Sequence, residues 1–143
     1  MEVSRIKPRD LLNSGQIDQI RTKNDFRNIF ALIFDWGLIV LGMSIFYYYP
    51  SIFSFIAAVV VIGSRQFALA VLVHDGAHNL LFSNSKVNDF ISQWLCAYPI
   101  FQDNRVYKPY HLKHHRFTET KDDPDLALSC LLYTSDAADD SLR

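Results

Sequence analysis

Residues 29–73 read IFALIFDWGLIVLGMSIFYYYPSIFSFIAAVVVIGSRQFALAVLV, and this stretch decides the fold. Asp35 and Arg65 are its only charged residues, and Pro50 divides it into two apolar halves. Each half is about 20 residues long, so as a helix it would rise about 30 Å, the thickness of a bilayer's hydrocarbon core. Because proline ends a helix, we expect two antiparallel helices joined by a tight turn. The sequence therefore predicts an all-α fold built on an integral membrane hairpin, with spans at about 29–49 and 51–73.

Basic residues flank this hairpin on both sides, whereas its Tyr-Pro-Ser turn carries no charge. Positively charged flanks of membrane spans stay in the cytosol, so we expect a multi-pass protein with both polar arms on the cytosolic side. The basic residues before the hairpin are Arg5, Lys7, Arg9, Arg21, Lys23 and Arg27, and those after it are Lys86, Arg105, Lys108, Lys113 and Arg116.

The two charges inside the spans lie at matching positions. Asp35 and Arg65 are each 15 residues from Pro50, which places both about 22 Å from the turn. Charges within a span are costly and usually face a partner, which favours an ion pair on the inner face of the hairpin. The alternative is that each side chain extends separately to the nearby cytosolic interface.

A third apolar stretch, Phe90 to Phe101, has 12 residues and is too short to cross a bilayer. With Trp94, Tyr98 and Pro99 it suits an interfacial helix over about 88–101. A buried helix of a soluble-type cap fits the same pattern. Either structure keeps the following residues on the side where residue 74 leaves the membrane.

All five histidines fall in two groups, His74-Asp-Gly-Ala-His78 and His111-Leu-Lys-His114-His115. Residues three or four apart share a helix face, so each group can present imidazoles to a metal ion such as Fe, Zn, Cu or Ni. His74 lies 24 residues beyond Pro50, about 36 Å along the helix and just past the hydrocarbon core. The histidines therefore predict a metal site at the cytosolic surface.

Acidic residues near these groups are candidates to orient metal-bound imidazoles by accepting their second N–H. We favour Asp125 and Asp122, followed by Asp75; the alternative for the acidic run is a solvated loop. The wider set of candidates also includes Glu119 and Asp123.

Small and polar neighbours of the histidines have simpler expected roles. Gly76 and Ala77 permit close helix packing. Asn79 is expected either to bond a ligand or to end its helix. Lys108 is expected to lie on a solvated basic face, the alternative being contact with an acidic donor or with lipid headgroups.

Length and composition limit the remaining possibilities. The 143 residues allow one domain, and the net charge of -1 says little about partners. The basic residues form no stripe interleaved with aromatics, so nothing indicates nucleic acid. Cys96 and Cys130 lack metal-site spacing and are expected to be free thiols.

The two histidine groups resemble the first HxxxH and second HxxHH boxes of the membrane fatty acid desaturase and hydroxylase superfamily. The resemblance covers roughly residues 20–128 and includes Arg65-Gln66, Asn79-Leu80-Leu81-Phe82, Pro109-Tyr110 and Asp122-Asp123-Pro124-Asp125. It implies a non-haem di-iron centre with His74, His78, His111, His114 and His115 as ligands and O2 as co-substrate. It also implies a lipid acyl substrate and an electron donor such as ferredoxin or a cytochrome b5-like protein.

Two departures from the family pattern lead to further expectations. A third histidine box and a second pair of spans are absent, so we expect residues 1–128 to be the N-terminal part of a desaturase-type domain, inactive alone. Residues 129–143 are expected to be a non-native or disordered tail. The alternatives are a lipid, alkane or carotenoid hydroxylase or ketolase on the same scaffold, and a membrane module that holds zinc without redox chemistry.

Overall fold

The computed structural model describes residues 11–118 and 120–126, which form helices and connecting loops with no strand among them. The predicted all-α fold is therefore confirmed. The expectations for Arg5, Lys7, Arg9, Glu119, Cys130 and the tail 129–143 lie outside the described residues. The helices are α1 (Ser14–Arg21), α2 (Asp25–Tyr48), α3 (Ile52–Ala77), α4 (Ser85–Ile91), a π-helix (Ser92–Ala97), a 3-10 turn (Tyr98–Ile100) and α5 (Asn104–Phe117).

Helices α2 and α3 form the predicted hairpin, with Pro50 in the turn between them. The Ser51 side chain caps α3 by accepting from the backbone N–H of Ser54 at 3.1 Å. Both helices are long and apolar enough to cross a membrane, and only 22% of the most apolar window of each is buried. A core helix of a soluble protein would be mostly buried, so this exposure fits a hairpin surrounded by lipid. Helix α3 continues beyond the predicted end of the span at residue 73 and carries His74 in its last turn, with His78 as its C-cap.

The two charges inside the hairpin form an ion pair. Arg65 Nη1 lies 3.0 Å from Asp35 Oδ1, and the Asp35 side chain is almost completely buried. The Arg65 guanidinium also lies 5.8 Å from the centre of the Phe34 ring. Of the two alternatives, pairing on the inner face is therefore the one observed.

After α3 the chain turns and runs back beside the hairpin as a return segment, defined here as residues 85–101. The side chain of Asn88 holds the turn, since its Oδ1 accepts from the backbone N–H groups of Leu81 and Phe82 at 3.1 and 3.2 Å. Its Nδ2 donates to the carbonyl of Gly76 at 2.9 Å. Asn88 is completely buried, and these bonds compensate for burying its amide.

The hydrophobic core lies at the end of the hairpin away from the turn. It joins Leu32 and Ile39 of α2 to Leu69, Leu72 and Val73 of α3 and to Leu81, Phe82, Cys96 and Ala97. Close packing here depends on Gly76, because a Cβ at that position would lie 2.2 Å from Ser92 Oγ and 2.6 Å from Ser92 Cβ. The sequence-based expectation that Gly76 permits close packing is thus confirmed, with the π-helix as the neighbour.

Candidate metal centre

The two histidine groups meet where α3 and α5 lie side by side. His74 is in the last turn of α3 and His78 is its C-cap, while His111 and His115 are one turn apart on α5. One ring nitrogen from each of these four residues lies within 4.8 Å of the others. The two histidine groups, which are separated by 33 positions between His78 and His111, therefore form one cluster of imidazoles.

His111 is at the centre of this cluster. Its Nε2 lies 3.0 Å from His78 Nε2 and 3.0 Å from His115 Nε2. Two nitrogens that bind one ion at about 2.1 Å would lie about 3.0 Å apart at right angles and about 3.4 Å apart at a tetrahedral angle. The spacing and chemistry of these donors therefore fit a transition-metal ion for which imidazole is a preferred ligand, such as iron or zinc.

His114 belongs to a second group. Its Nδ1 lies 2.8 Å from Asp123 Oδ1 and 3.2 Å from Asp125 Oδ2, and these three residues form a separate cluster of possible ligands. A carboxylate can only accept, so Nδ1 carries the hydrogen in this contact, and in the neutral imidazole Nε2 keeps its lone pair. A carboxylate bonded to one imidazole nitrogen is the usual way in which proteins orient the other nitrogen toward a metal.

The surroundings of the histidines change their pKa values in two directions. Burial and the nearby imidazoles, above all His115, lower the pKa of His111 to about 4. Burial followed by the charge of His74 also lowers the pKa of His78. The hydrogen bond that His114 donates to Asp123 raises the pKa of His114. His78 and His111 thus favour neutral imidazole, the form that binds metal.

The three favoured carboxylates take different positions. Asp125 lies beside His114, as expected for a residue that orients it. Asp75 Oδ1 lies 3.4 Å from His74 Nδ1, with both side chains about half exposed. Asp122 is exposed and lies outside both clusters, whereas its neighbour Asp123 is buried against His114.

Two tyrosines of α5 support the centre. The Tyr107 ring stacks on the His111 ring, with centroids 5.0 Å apart and planes 14° from parallel. The Tyr110 hydroxyl donates to the Asp125 carboxylate. Burial raises the pKa of Tyr107, and the hydrogen bond to Asp125 raises that of Tyr110, so both stay protonated.

Lys108 joins α5 to α4 and to the residue that follows His78. Its Nζ donates to Asn79 Oδ1 at 2.8 Å and to Asp89 Oδ1 at 2.7 Å. Asn79 follows His78 directly and has a positive φ of 55°, a conformation that asparagine tolerates better than most residues. Lys108 therefore bridges helices instead of lying on the solvated basic face expected from the sequence, and Asn79 accepts from it just beyond the end of α3.

Sequence reasoning did not single out Tyr107 or Asn88, it gave Tyr110 no role beyond the family resemblance, and it did not favour Asp123. Tyr107 has a sequence signal, because it lies four residues before His111 and so on the same helix face. Asp122 and Asp123 are adjacent carboxylates, and only the path of the loop decides which of them faces His114. Asn88 bonds residues six to twelve positions away, and no local pattern indicates that.

Fold and site together define an all-helical protein with two apolar, span-length helices and a histidine-rich centre at their end. The sequence profile of the fatty acid desaturase family matches residues 50–136, which is more than half of the chain. The chain therefore belongs to the fatty acid desaturase family.

One curated relative and the solved structures complete the comparison. The chain is 37% identical over 71 residues to the dihydrorhizobitoxine desaturase of Bradyrhizobium elkanii. The alignment covers 48% of this chain and 20% of the relative. The chain therefore spans about a fifth of the relative's length. No solved structure matches the chain.

Proposed function

We propose that this chain supplies part of a non-haem di-iron centre in a membrane enzyme that desaturates a lipid acyl chain with O2. The observation that supports this most directly is the convergence of His74, His78, His111 and His115 on one point. Membership of a desaturase family makes iron the metal that we expect there.

The two clusters suggest how the ligands divide. His74, His78, His111 and His115 would hold one iron, and His114 would bind the second through Nε2. Iron at this position would supply the O2 activation needed to remove hydrogen from an unactivated C–H bond. Five imidazoles do not complete the coordination of two irons, so we propose that further ligands come from additional polypeptide, as the much longer relative would allow.

The protein's own side chains bind and orient in this proposal. Asp123 fixes the ring of His114 by accepting from Nδ1, Asp125 Oδ2 lies 3.2 Å from the same nitrogen, and Tyr110 fixes Asp125 in turn. Tyr107 restricts rotation of the His111 ring by stacking on it. None of these residues is needed as a general base, because bound iron would supply the oxidising chemistry.

We further propose that α2 and α3 cross the membrane and that the histidines lie at its cytosolic surface. Helix α3 has 26 residues and so rises about 39 Å, which exceeds a hydrocarbon core of about 30 Å and carries His74 and His78 past its boundary. A soluble electron donor such as ferredoxin or a cytochrome b5-like protein could approach from that side, while the acyl chain enters from the bilayer.

Metal analysis of the intact gene product tests the iron assignment. Iron content and Mössbauer spectra of protein grown on ⁵⁷Fe should show two non-haem irons in the wild type. His111→Ala should lose metal, whereas Lys113→Ala, an exposed neighbour on the same helix, should retain it. Zinc in place of iron in the wild type would support the non-redox metal-binding alternative, which an all-imidazole site also suits.

Product analysis tests the reaction. Gas chromatography with mass spectrometry of host lipids should show a new double bond when the intact gene is expressed. A hydroxylated or oxo product would instead favour the hydroxylase or ketolase alternative on the same scaffold. Residues 1–143 alone should give little or no product, and the uninterrupted reading frame beyond residue 128 will show whether residues 129–143 are a non-native tail.

A further inference from the structure

The return segment descends beside α3 toward the hairpin turn. Near its beginning, Asn88 Nδ2 donates to the Gly76 carbonyl at 2.9 Å. At its end, the Pro99 carbonyl accepts from Gln66 Nε2 at 3.5 Å. Gln66 precedes Gly76 by ten residues, so the segment descends about 15 Å along α3.

Helix α2 provides an independent measure of the same descent. Asn28 Nδ2 donates to the Leu81 carbonyl at 2.7 Å, just before the return segment, and Trp36 Nε1 donates to the Leu95 carbonyl at 3.0 Å within it. Asn28 and Trp36 are eight residues apart, which corresponds to about 12 Å of helix. Both helices thus show the chain moving back toward the level of the spans.

The end of the return segment can be placed against the expected bilayer. Gln66, the partner of Pro99, lies 16 residues beyond Pro50, or about 24 Å from the turn. A hydrocarbon core of about 30 Å that begins at the turn would extend about 6 Å past this level. The end of the segment is therefore about one helical turn inside the boundary.

The outer side of the return segment is aromatic. We call Phe90, Trp94, Tyr98 and Phe101 the aromatic face; they follow one another at intervals of four, four and three residues, and all four are exposed. The rings of Trp94 and Tyr98 meet edge to face with centroids 4.9 Å apart. Tryptophan and tyrosine are enriched where proteins meet the boundary between lipid and water.

Phe101 is the last residue of this face and lies two residues after Pro99, whose carbonyl marks the depth. Its side chain is 98% exposed, and its backbone is left-handed, with φ 60° and ψ 29°. That conformation is strained for a bulky residue and presents the whole ring outward. In water the exposed ring would gain no stabilisation from the hydrophobic effect, whereas lipid chains would bury its apolar surface.

The charged residues next to Phe101 suit a position at the boundary between lipid and water. Asp103 Oδ2 and Arg105 Nη2 form an ion pair at 2.8 Å, and Arg105 Nη2 also donates to the Tyr98 hydroxyl at 3.1 Å. The pair has no net charge, and the long arginine side chain can extend toward the headgroups.

We propose that the return segment and the turn after it form a re-entrant wedge whose aromatic face inserts into the cytosolic leaflet. Phe101 would be its deepest residue, about one helical turn inside the hydrocarbon boundary. This goes beyond an interfacial helix that lies flat on the membrane, and it rests on the proposed crossing of the membrane by α2 and α3. Lipid is the occupant that we favour, because the aromatic face ends at the level where α2 and α3 expose apolar side chains.

Tryptophan fluorescence in vesicles tests the wedge. Variants with one tryptophan each would be made by adding Phe101→Trp, Phe67→Trp or Phe26→Trp to protein lacking Trp36 and Trp94. Phe67 is an exposed residue of α3 next to Gln66 and so marks the same depth, while the exposed Phe26 lies at the start of α2, outside the hydrocarbon. Vesicles of phosphatidylcholine and phosphatidylglycerol brominated on the upper acyl chain would quench from the lipid, and iodide from the water.

We expect brominated lipid to quench the reporters at 101 and 67 to a similar extent, and iodide to quench the reporter at 26. Quenching at 67 by lipid with quenching at 101 by iodide would overturn the wedge while the spans remain. A reporter at 101 that neither agent reaches would also overturn it, because the ring would then be covered by a second copy or by further polypeptide. Quenching at 67 by iodide would show instead that the proposed membrane crossing fails.

A spin label provides a second measurement that leaves Trp36 and its hydrogen bond in place. The label would be attached to Phe101→Cys in protein with Cys96→Ala and Cys130→Ser. Collisions with oxygen should exceed those with a water-soluble nickel chelate if Phe101 lies in lipid. The reverse order would contradict the proposal.

Discussion

Replacing Arg65 by methionine should destabilise the hairpin strongly, because it removes the partner of a buried carboxylate. The Asp35 side chain is 7% exposed and Arg65 Nη1 lies 3.0 Å away, so the variant leaves Asp35 without its ion-pair partner in an apolar environment. Breaking a buried ion pair by removing one partner typically costs about 3–5 kcal/mol. We therefore expect Arg65→Met to lower the free energy of unfolding by about that amount.

The double variant separates pairing from independent effects of the two charges. Arg65→Met combined with Asp35→Asn leaves no charge in the hairpin, and replacing both members of a buried pair is often close to neutral. We expect it to recover most of the stability lost in Arg65→Met, as measured by denaturant unfolding in detergent micelles and by expression level. Additive losses in the double variant would refute the claim that the pair stabilises the hairpin. An Arg65→Met protein as stable as the wild type would also refute it.

Two further variants test packing and the orientation of His114. Gly76→Ala forces a Cβ into the return segment and should lower the free energy of unfolding by about 1–3 kcal/mol. The control Gly63→Ala has open space around its Cβ and should be neutral or slightly stabilising. Equal effects of the two variants in thermal unfolding would contradict the close contact at Gly76. Asp123→Asn should weaken metal binding at His114 by about 10–100-fold in a titration with Co²⁺ followed by absorption, while Asp122→Asn, at an exposed neighbour, should leave it unchanged. Similar losses in both aspartate variants would show that the loop acts only through its charge.

The fold was largely predictable because its main elements follow from local rules. A proline between two apolar runs predicts a hairpin. Equal distances of Asp35 and Arg65 from Pro50 place the two charges at one depth, which left pairing or separate extension to the interface as alternatives, and the structure shows the pair. Helical spacing alone also indicates which histidines share a face. Each of these inferences needs only the rise and the period of a helix.

The details that the sequence did not predict depend on how separate elements pack. Which aspartate contacts His114 depends on the path of a loop that leaves α5, and the sequence DDPD offers several equivalent carboxylates. The bonds of Asn88 and Lys108 join residues from different helices, so their roles appear only when the helices are in place. Tyr107 could have been found from its spacing to His111, but stacking and core packing give the same spacing.

The ion pair in the hairpin and the metal centre are connected through helix register. Asp35 and Arg65 fix α3 against α2, and the return segment contacts both helices before it leads into α5 and His111. A slip of α3 by one turn would move His74 and His78 by about 5.4 Å. That is more than the 4.8 Å within which the four ring nitrogens now lie, so the cluster would not survive it. Hence Arg65→Met should also weaken metal binding, although Arg65 lies nine residues before His74, and unchanged affinity in a folded Arg65→Met protein would show that other contacts fix the register.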